Sequence, residues 1–580
     1  MMTPGPLSDT DLAILFPAKR DKPIKSGAFE LGLVLGGTVS AGAYTGGVLD
    51  YFLEALDAWQ KAKEVGDPEA PLHEVTISTV AGTSGGAING AILLRSAGWQ
   101  FHHGESDTNP FYSSWTRGVD LMKLLEANPI ENGLDSIFNC ASIDEQAEKT
   151  IAYKGQPLGS GASPRHRSYL ADPLRLIMMV GNVTGLPYSI SMGGQADLAH
   201  DLIAHADFMR FALAVEKGIP NAPASRPDEM ALSSTSEVNW DVLRQAALAT
   251  SAFPVAFRSR GLSRAVEICG YRAVAIPAEN GSAKVVQLIP NWDLLSRGEK
   301  NPLVTNFVTV DGGTINNEPV DLVRTALAGL DGRNKRKPGE ADRAVILVDP
   351  FSDPENLGPR TPPGLVEAIL PFVMSLVYQA RFKPADIALA HDETVYSRYL
   401  VAPVGPGPSG KRTVGKDAIA SGGLGGFLGF VDAGFLRYDY ALGRANAHAF
   451  LTKHLAIPEK ANNPIFNSWS DDQKRIYRFT DDGIDYLPLI PLMAPLRSNP
   501  PSLRPWPRLR AMPEGLSDAI AARADAVFAL ARRRGAPESW WKRALMSSYI
   551  WLGWKGYLRG ALRNGALKVV HDGLIRQQLL

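Results

Sequence analysis

From Phe29 onward the chain alternates short apolar runs with glycine turns and with stretches of helical spacing. Phe29-Glu-Leu-Gly-Leu-Val-Leu35 has the length and character of a strand, and Gly36-Gly37 breaks it. Val48, Leu49, Phe52, Leu53 and Leu56 then recur at the period of one helix face. The unit repeats at once: Glu74–Val80 reads as a buried strand, 82–86 as a tight glycine turn, and Ala87–Leu94 as a helix packed against the sheet. Leu174–Val180, Leu303–Val310 and Arg343–Val348 are further apolar strand candidates. Near-continuously apolar strands separated by helical segments predict an α/β domain with a mostly parallel central sheet flanked by helices, over residues 28–351. Polar stretches around 105–110, 154–166 and 218–227 predict long insertions.

Outside that domain the texture changes. Residues 1–27, with Pro4, Pro6, Pro17 and Pro23, read as an arm. Past the Pro-rich stretch 350–363, residues 352–494 are expected to form a mainly helical extension. Residues 495–580 read as a basic Pro-rich strap followed by aromatic-rich helices, and no internal repeat is visible.

Composition narrows the function classes. The chain has 580 residues, 45% of them hydrophobic and 21% charged, which excludes disorder throughout. Its two cysteines, Cys140 and Cys269, are too few for a disulfide scaffold or a Cys-rich metal site. His102-His103 is the one adjacent pair among ten histidines, and no His-Glu-x-x-His spacing occurs, so neither metal nor cofactor is expected. Sixty basic against 60 acidic residues argue against a protein that coats nucleic acid, so no nucleic-acid partner is expected. That neutrality is a cancellation: residues 501–580 carry 14 Lys+Arg and 5 Asp+Glu, a balance of +9, and the remainder carries −9. Asp9 and Asp11 stand where a signal peptide would be basic, and the runs 31–49, 75–94 and 176–196 are broken by glycines and polar residues. The expectation is a cytoplasmic protein, soluble or peripheral on a membrane, with reduced cysteines.

Three elements carry chemistry. Gly82-Thr83-Ser84-Gly85-Gly86 is a G-x-S-x-G between a predicted strand and a predicted helix. A serine on such a turn projects its hydroxyl clear of the sheet, and the helix N-terminus favours developing negative charge; the plainer alternative is a glycine turn with an incidental serine. Gly36-Gly37-Thr38-Val39-Ser40-Ala41-Gly42 also follows a strand, and the amides of Gly36, Gly37 and Thr38 are candidates for an oxyanion hole facing Ser84. Its spacing is neither G-x-G-x-x-G nor a P-loop, which leaves a simple tight turn as the competing reading. Asp311-Gly312-Gly313 ends a strand at the sheet edge, where a carboxylate can take the proton of the serine directly; an Asx turn would have the same sequence.

In this order along the chain, the three elements resemble the patatin-like phospholipase family, whose pattern is a glycine-rich oxyanion loop, a G-x-S-x-G nucleophile elbow and a catalytic Asp in D-G-[GA]. Gly42-Ala43-Tyr44, Gly47-Val48-Leu49 and Ala249-Thr250-Ser251-Ala252-Phe253-Pro254 also fit the family, and the resemblance spans about residues 28–350. It implies a three-layer catalytic domain and a lipid acyl hydrolase, phospholipase A-like, acting on glycerolipid or phospholipid. Ser84 would be the nucleophile, Asp311 the base and then acid, and Gly82, Gly86, Gly312 and Gly313 supports of the two turns. The chain departs from the family in one place: Thr38 replaces the usual third glycine, and no Arg or Lys precedes Gly42. Two other readings remain open at this level. One is an esterase or thioesterase whose serine is activated by His391, His448, His454 or His571; the other is a weakly catalytic lipid-binding scaffold, which the Thr38 departure favours. Trp540, Trp541, Tyr549, Trp551, Trp554 and Tyr557, with Lys555, Arg559 and Arg563 four apart, suit either an anionic membrane surface or a terminal helix packed on the core.

Overall fold

In the computed structural model of the chain, the residues described are 5–20, 24–127, 136–157, 167–191, 199–214, 226–233, 237–278, 281–294, 304–352, 361, 375, 379, 395–534 and 559–580. The aromatic residues Trp540 to Tyr557, Lys555 and His391 lie outside them.

The elements that frame the site are, in chain order, β1 (Ala28–Leu35), α1 (Gly42–Glu64), β2 (Glu74–Gly82), α2 (Gly85–Ser96), α3 (Pro110–Thr116), α4 (Ala141–Ile151), β3 (Leu170–Ser191), β4 (Ala199–Ala214), β5 (Glu229–Ser233), α5 (Trp240–Thr250), β6 (Arg260–Ala265), β7 (Val304–Asp311), α6 (Val320–Ala328), β8 (Arg343–Val348), β9 (Arg398–Val401) and α7 (Ala433–Lys453). The main sheet runs β9-β8-β1-β2-β3-β7-β6, with β4 also on β3 and β5 on β4. From β9 to β3 every pairing is parallel; β7, β6 and β4 add antiparallel partners. Helices cover both faces of the central strands, which is why β1 and β2 are buried along most of their length without a polar side. Thus the mostly parallel α/β sheet read from the sequence is the sheet observed, and helices also dominate the C-terminal part.

One register feature brings the site together. β4 occupies one side of β3 along most of its length, so the other side is shared end to end by two strands. β2 runs parallel to β3 and ends with Gly82 opposite Met178, whereas β7 runs antiparallel and ends with Asp311 opposite Val180. The C-terminal ends of β2 and β7 therefore point at each other across a single residue, Met179.

The C-terminal part returns to this sheet. β9 pairs with β8, and α7 crosses α1 backbone to backbone. A Cβ at Gly47 would fall 2.1 Å from the Tyr440 carbonyl oxygen, and one at Gly443 would fall 2.1 Å from that of Tyr44. The same crossing buries an ion network. Arg444 bonds Asp50 and Glu54, while Tyr440 Oη donates to Asp50 at 2.7 Å and Asn109 Nδ2 donates to Asp50 at 2.9 Å. Burial pushes the Asp50 carboxyl up, but His103, Arg444 and the Gly104 amide overcome it and hold it below the usual range. Burial pulls His103 down; its bonds to Asp50 and Asp57 outweigh that and raise it to about 9. Among the described residues no helix is long and apolar enough to cross a membrane.

Candidate active site

Ser84 is the N-cap of α2 and has φ 51°, ψ −127°. A left-handed backbone is costly for a residue with a Cβ, and such strain persists only where neighbours over-determine it. The neighbours are visible. Gly86 presses on the end of β1, where a Cβ would lie 2.2 Å from the Leu35 carbonyl oxygen, and a Cβ at Gly82 would lie 2.7 Å from the Ala87 amide nitrogen. The Thr83 hydroxyl donates to the Asn316 carbonyl at 3.0 Å, and the Ser84 amide donates to Thr250 Oγ1 at 3.0 Å. Turn, strand and α5 together hold the serine in place.

Asp311 is 4% exposed at the tip of β7. Its amide donates to the Ala252 carbonyl at 2.9 Å, and its Oδ1 accepts the Gly313 amide at 2.6 Å. Burial drives the carboxyl up to about 6, against hydrogen bonds from the Ser84 side chain and the Gly313 amide that favour the charged form. Gly312 lies flat on β3, where a Cβ would sit 2.4 Å from the Met179 carbonyl oxygen. Ser84 and Asp311 are thus side by side, as the meeting of β2 and β7 requires.

The first glycine loop closes the third side. A Cβ at Gly37 would be 3.5 Å from Ser84 Cβ and 2.2 Å from Asn317 Oδ1. The Gly36 amide donates to the Val348 carbonyl at 3.0 Å, prolonging the β1–β8 ladder, so it is already engaged. The amides of Gly37, Thr38 and Gly85 make no hydrogen bond among the described residues. Thr38 Oγ1 is buried, likewise without a partner among them, beside Gly85. Val39, with φ 46°, turns the chain into the short helical turn Val39–Ala41.

An apolar cavity of about 120 Å³ opens from Ser84 between α2, α4 and α5. Its wall includes Val39, Ile88, Ile143, Leu248 and Phe253, and Arg258 and Arg260, both paired with Asp144, line it as well. Among the described residues no histidine lines this cavity. His448 stacks edge-on with Tyr51, His454 lies against Phe450, and His571 is exposed beside Asp572. Among the described residues no group of three or more His, Cys, Asp or Glu is placed to hold a metal ion.

Two contributors escape sequence reasoning. Thr250 fastens the Ser84 amide while Ala252, two residues on, fastens Asp311, so the Ala-Thr-Ser-Ala-Phe-Pro stretch ties both groups to one turn. Asn317 packs between Gly37 and Gly313 and donates from Nδ2 to Glu318 at 2.7 Å. The first had a signal, the hexapeptide itself, but nothing in it reveals what it touches; the second had none.

A family model of patatin-like phospholipases matches residues 33–324, which contain the glycine loop, Ser84 and Asp311. An uncharacterized protein, y4iI, of Sinorhizobium fredii (strain NBRC 101917 / NGR234) is 31% identical over 525 residues, covering 83% of this chain and 73% of the relative. The similarity to this relative covers more of the chain than the family-matched segment does, so part of the chain beyond residue 324 is shared with it. The match covers half of the chain and the relative most of it, so the chain belongs to the patatin-like phospholipase family, whose substrates are lipids.

Proposed function

We propose that this chain is a serine carboxylic-ester hydrolase that cleaves acyl esters of glycerolipids through a Ser84–Asp311 dyad. The observation that carries the proposal is the contact of Ser84 with a buried carboxyl held near pH 6 at the entrance of an apolar cavity. Ser84 Oγ attacks the ester carbonyl carbon as Asp311 takes its proton. The tetrahedral oxyanion is met by the unengaged amides of Gly37, Thr38 and Gly85 at the positive end of α2. Collapse breaks the ester C–O bond, Asp311 returns the proton to the leaving alcohol, and water resolves the acyl-enzyme by the same path. Thr38 fits this role through its backbone, so the loss of the third glycine leaves the donor set intact.

The test is covalent capture. A fluorophosphonate is expected to label Ser84, and Ser84→Ala to abolish both labelling and hydrolysis of p-nitrophenyl esters. Labelling that survives Ser84→Ala defeats the assignment.

The +9 balance of residues 501–580 supports a second part of the proposal, that this end meets anionic membrane. Each basic residue near a charged surface contributes about 1 kcal/mol, so Lys555→Glu with Arg563→Glu is expected to weaken sedimentation with phosphatidylserine vesicles severalfold. Unchanged sedimentation removes the membrane contact.

A further inference from the structure

The cavity beside Ser84 has one wall that does not come from the family-matched segment. Phe430 lines it, 106 positions beyond the end of that match at residue 324. It belongs to Leu424–Phe430, Leu-Gly-Gly-Phe-Leu-Gly-Phe, a turn that lies on the first glycine loop. The fit is close on both sides. Ser40 Oγ donates to the Gly426 carbonyl, and a Cβ at Gly426 would stand 3.0 Å from the Thr38 carbonyl oxygen. At Gly429 a Cβ would fall 2.3 Å from Ser40 Oγ. Gly425 and Gly426 take φ 61° and 91°, so glycine here serves both the backbone turn and the approach to the loop. On the cavity side, Phe427 is inserted among Phe138, Phe253 and Phe257, with ring centroids 5.8–6.1 Å apart, and Phe430 packs on Phe427 at 6.3 Å. The segment is held from behind: Asp439 of α7 accepts the amides of Ala420 at 2.6 Å and Ser421 at 3.0 Å. Leu424 meets Gly573 of the terminal helix Arg559–Arg576.

We infer that Leu424–Phe430 is a working part of the active site and that Phe430 sets how long an acyl chain the Ser84 cavity accepts. The inference rests on the hydrolase reading above in one respect, that the cavity receives the acyl part of the substrate. A phenyl ring on the wall of a narrow apolar cavity limits depth by its size: a larger ring shortens the space and a smaller side chain lengthens it. Because the same segment holds Ser40, acyl fit and the posture of the oxyanion loop are mechanically joined.

The experiment uses the full chain with Phe430→Ala and Phe430→Trp, and reads kcat/KM for p-nitrophenyl esters from butyrate to palmitate. The expected result is a change in profile, with the palmitate-to-butyrate ratio at least tenfold lower in Phe430→Trp and higher in Phe430→Ala than in the parent. A second readout needs no catalysis. In Ser84→Ala, displacement of a fluorescent fatty acid by saturated fatty acids of 4 to 16 carbons is expected to shift its best chain length in the same directions. Unaltered profiles in both readouts overturn the inference, as does a uniform loss across all chain lengths. A shifted binding profile in a protein whose Ser84 takes no fluorophosphonate upholds the wall and defeats the hydrolase reading alone.

Discussion

Asp311→Asn separates catalysis from stability with opposite signs. The carboxyl is buried and rises from an ordinary aspartate's 3.8 to about 6. The folded state therefore holds its proton more tightly than the unfolded chain between about pH 4 and pH 6. The contribution to stability is fully present below pH 4 and is lost as pH rises through about 6. At roughly 1.4 kcal/mol per pH unit, ionising Asp311 in place costs the fold up to about 3 kcal/mol at pH 8. Asparagine has the same shape, keeps an oxygen for the Gly313 amide and never ionises. The variant is expected to be more stable than the parent by about 1–3 kcal/mol at pH 8, with the advantage vanishing near pH 4. Its ester hydrolysis falls by a factor of about 100 or more, since among the described residues no other titratable side chain bonds Ser84. In the parent the dyad needs the carboxylate, about nine tenths formed at pH 7 and one tenth at pH 5, so kcat/KM drops about tenfold between them. Urea unfolding at pH 8 and pH 4, with kcat/KM on a soluble short-chain ester from pH 4.5 to 9, measures both. A variant less stable than the parent at pH 8, or a flat activity profile down to pH 4.5, refutes the reasoning.

Thr250→Val removes the acceptor of the Ser84 amide and leaves a buried N–H unpaired at a strained turn. A penalty of about 1–3 kcal/mol falling on the nucleophile's position lowers kcat by about 10–100-fold with little change in KM. Thr250→Ser is expected to restore it, and a Val variant within twofold of the parent removes Thr250 from the positioning set. Arg444→Met strips the fully buried Asp50 of its guanidinium between α1 and α7. Breaking one side of such a pair costs about 3–5 kcal/mol, and a urea-unfolding loss below about 1 kcal/mol contradicts the importance given to the helix crossing.

What the sequence disclosed follows from how local each signal is. Ser84 was legible because strand, glycine turn and helix follow one another without a break from Glu74 to Leu94, and Asp311 because a strand and two glycines flank it directly. Their meeting was not legible. It depends on β2 and β7 sharing one side of β3 in opposite directions, a register set by contacts 93–96 and 127–131 residues apart. The same distance hid the state of Gly36. Its amide has the composition of an oxyanion donor, but β8, some 310 positions later, takes it into the ladder. Thr250 and Asn317 were invisible in role for the same reason. The pairing of Arg444 with Asp50 and Glu54 likewise joins helices 394 and 390 positions apart in the chain.

These distances also explain why the C-terminal part belongs with the chemistry. Within residues 33–324, β2, β7 and the turn after α5 account for the posture of Ser84 and Asp311. The first glycine loop is different: it leaves β1, and β1 is held on one side by β2 and on the other by β8. Past β8, Leu424–Phe430 covers the loop and accepts the Ser40 hydroxyl. Cutting the chain at residue 324 would make β1 an edge strand with open amides. It would also leave Asp50 of α1 buried without Arg444, and open the cavity at Phe430. Ser84 and Asp311 are thus fastened from inside the family-matched segment, whereas the first glycine loop is fastened largely from outside it. Under the proposed function, a protein built in this way varies substrate fit through its C-terminal half while Ser84 and Asp311 stay fixed.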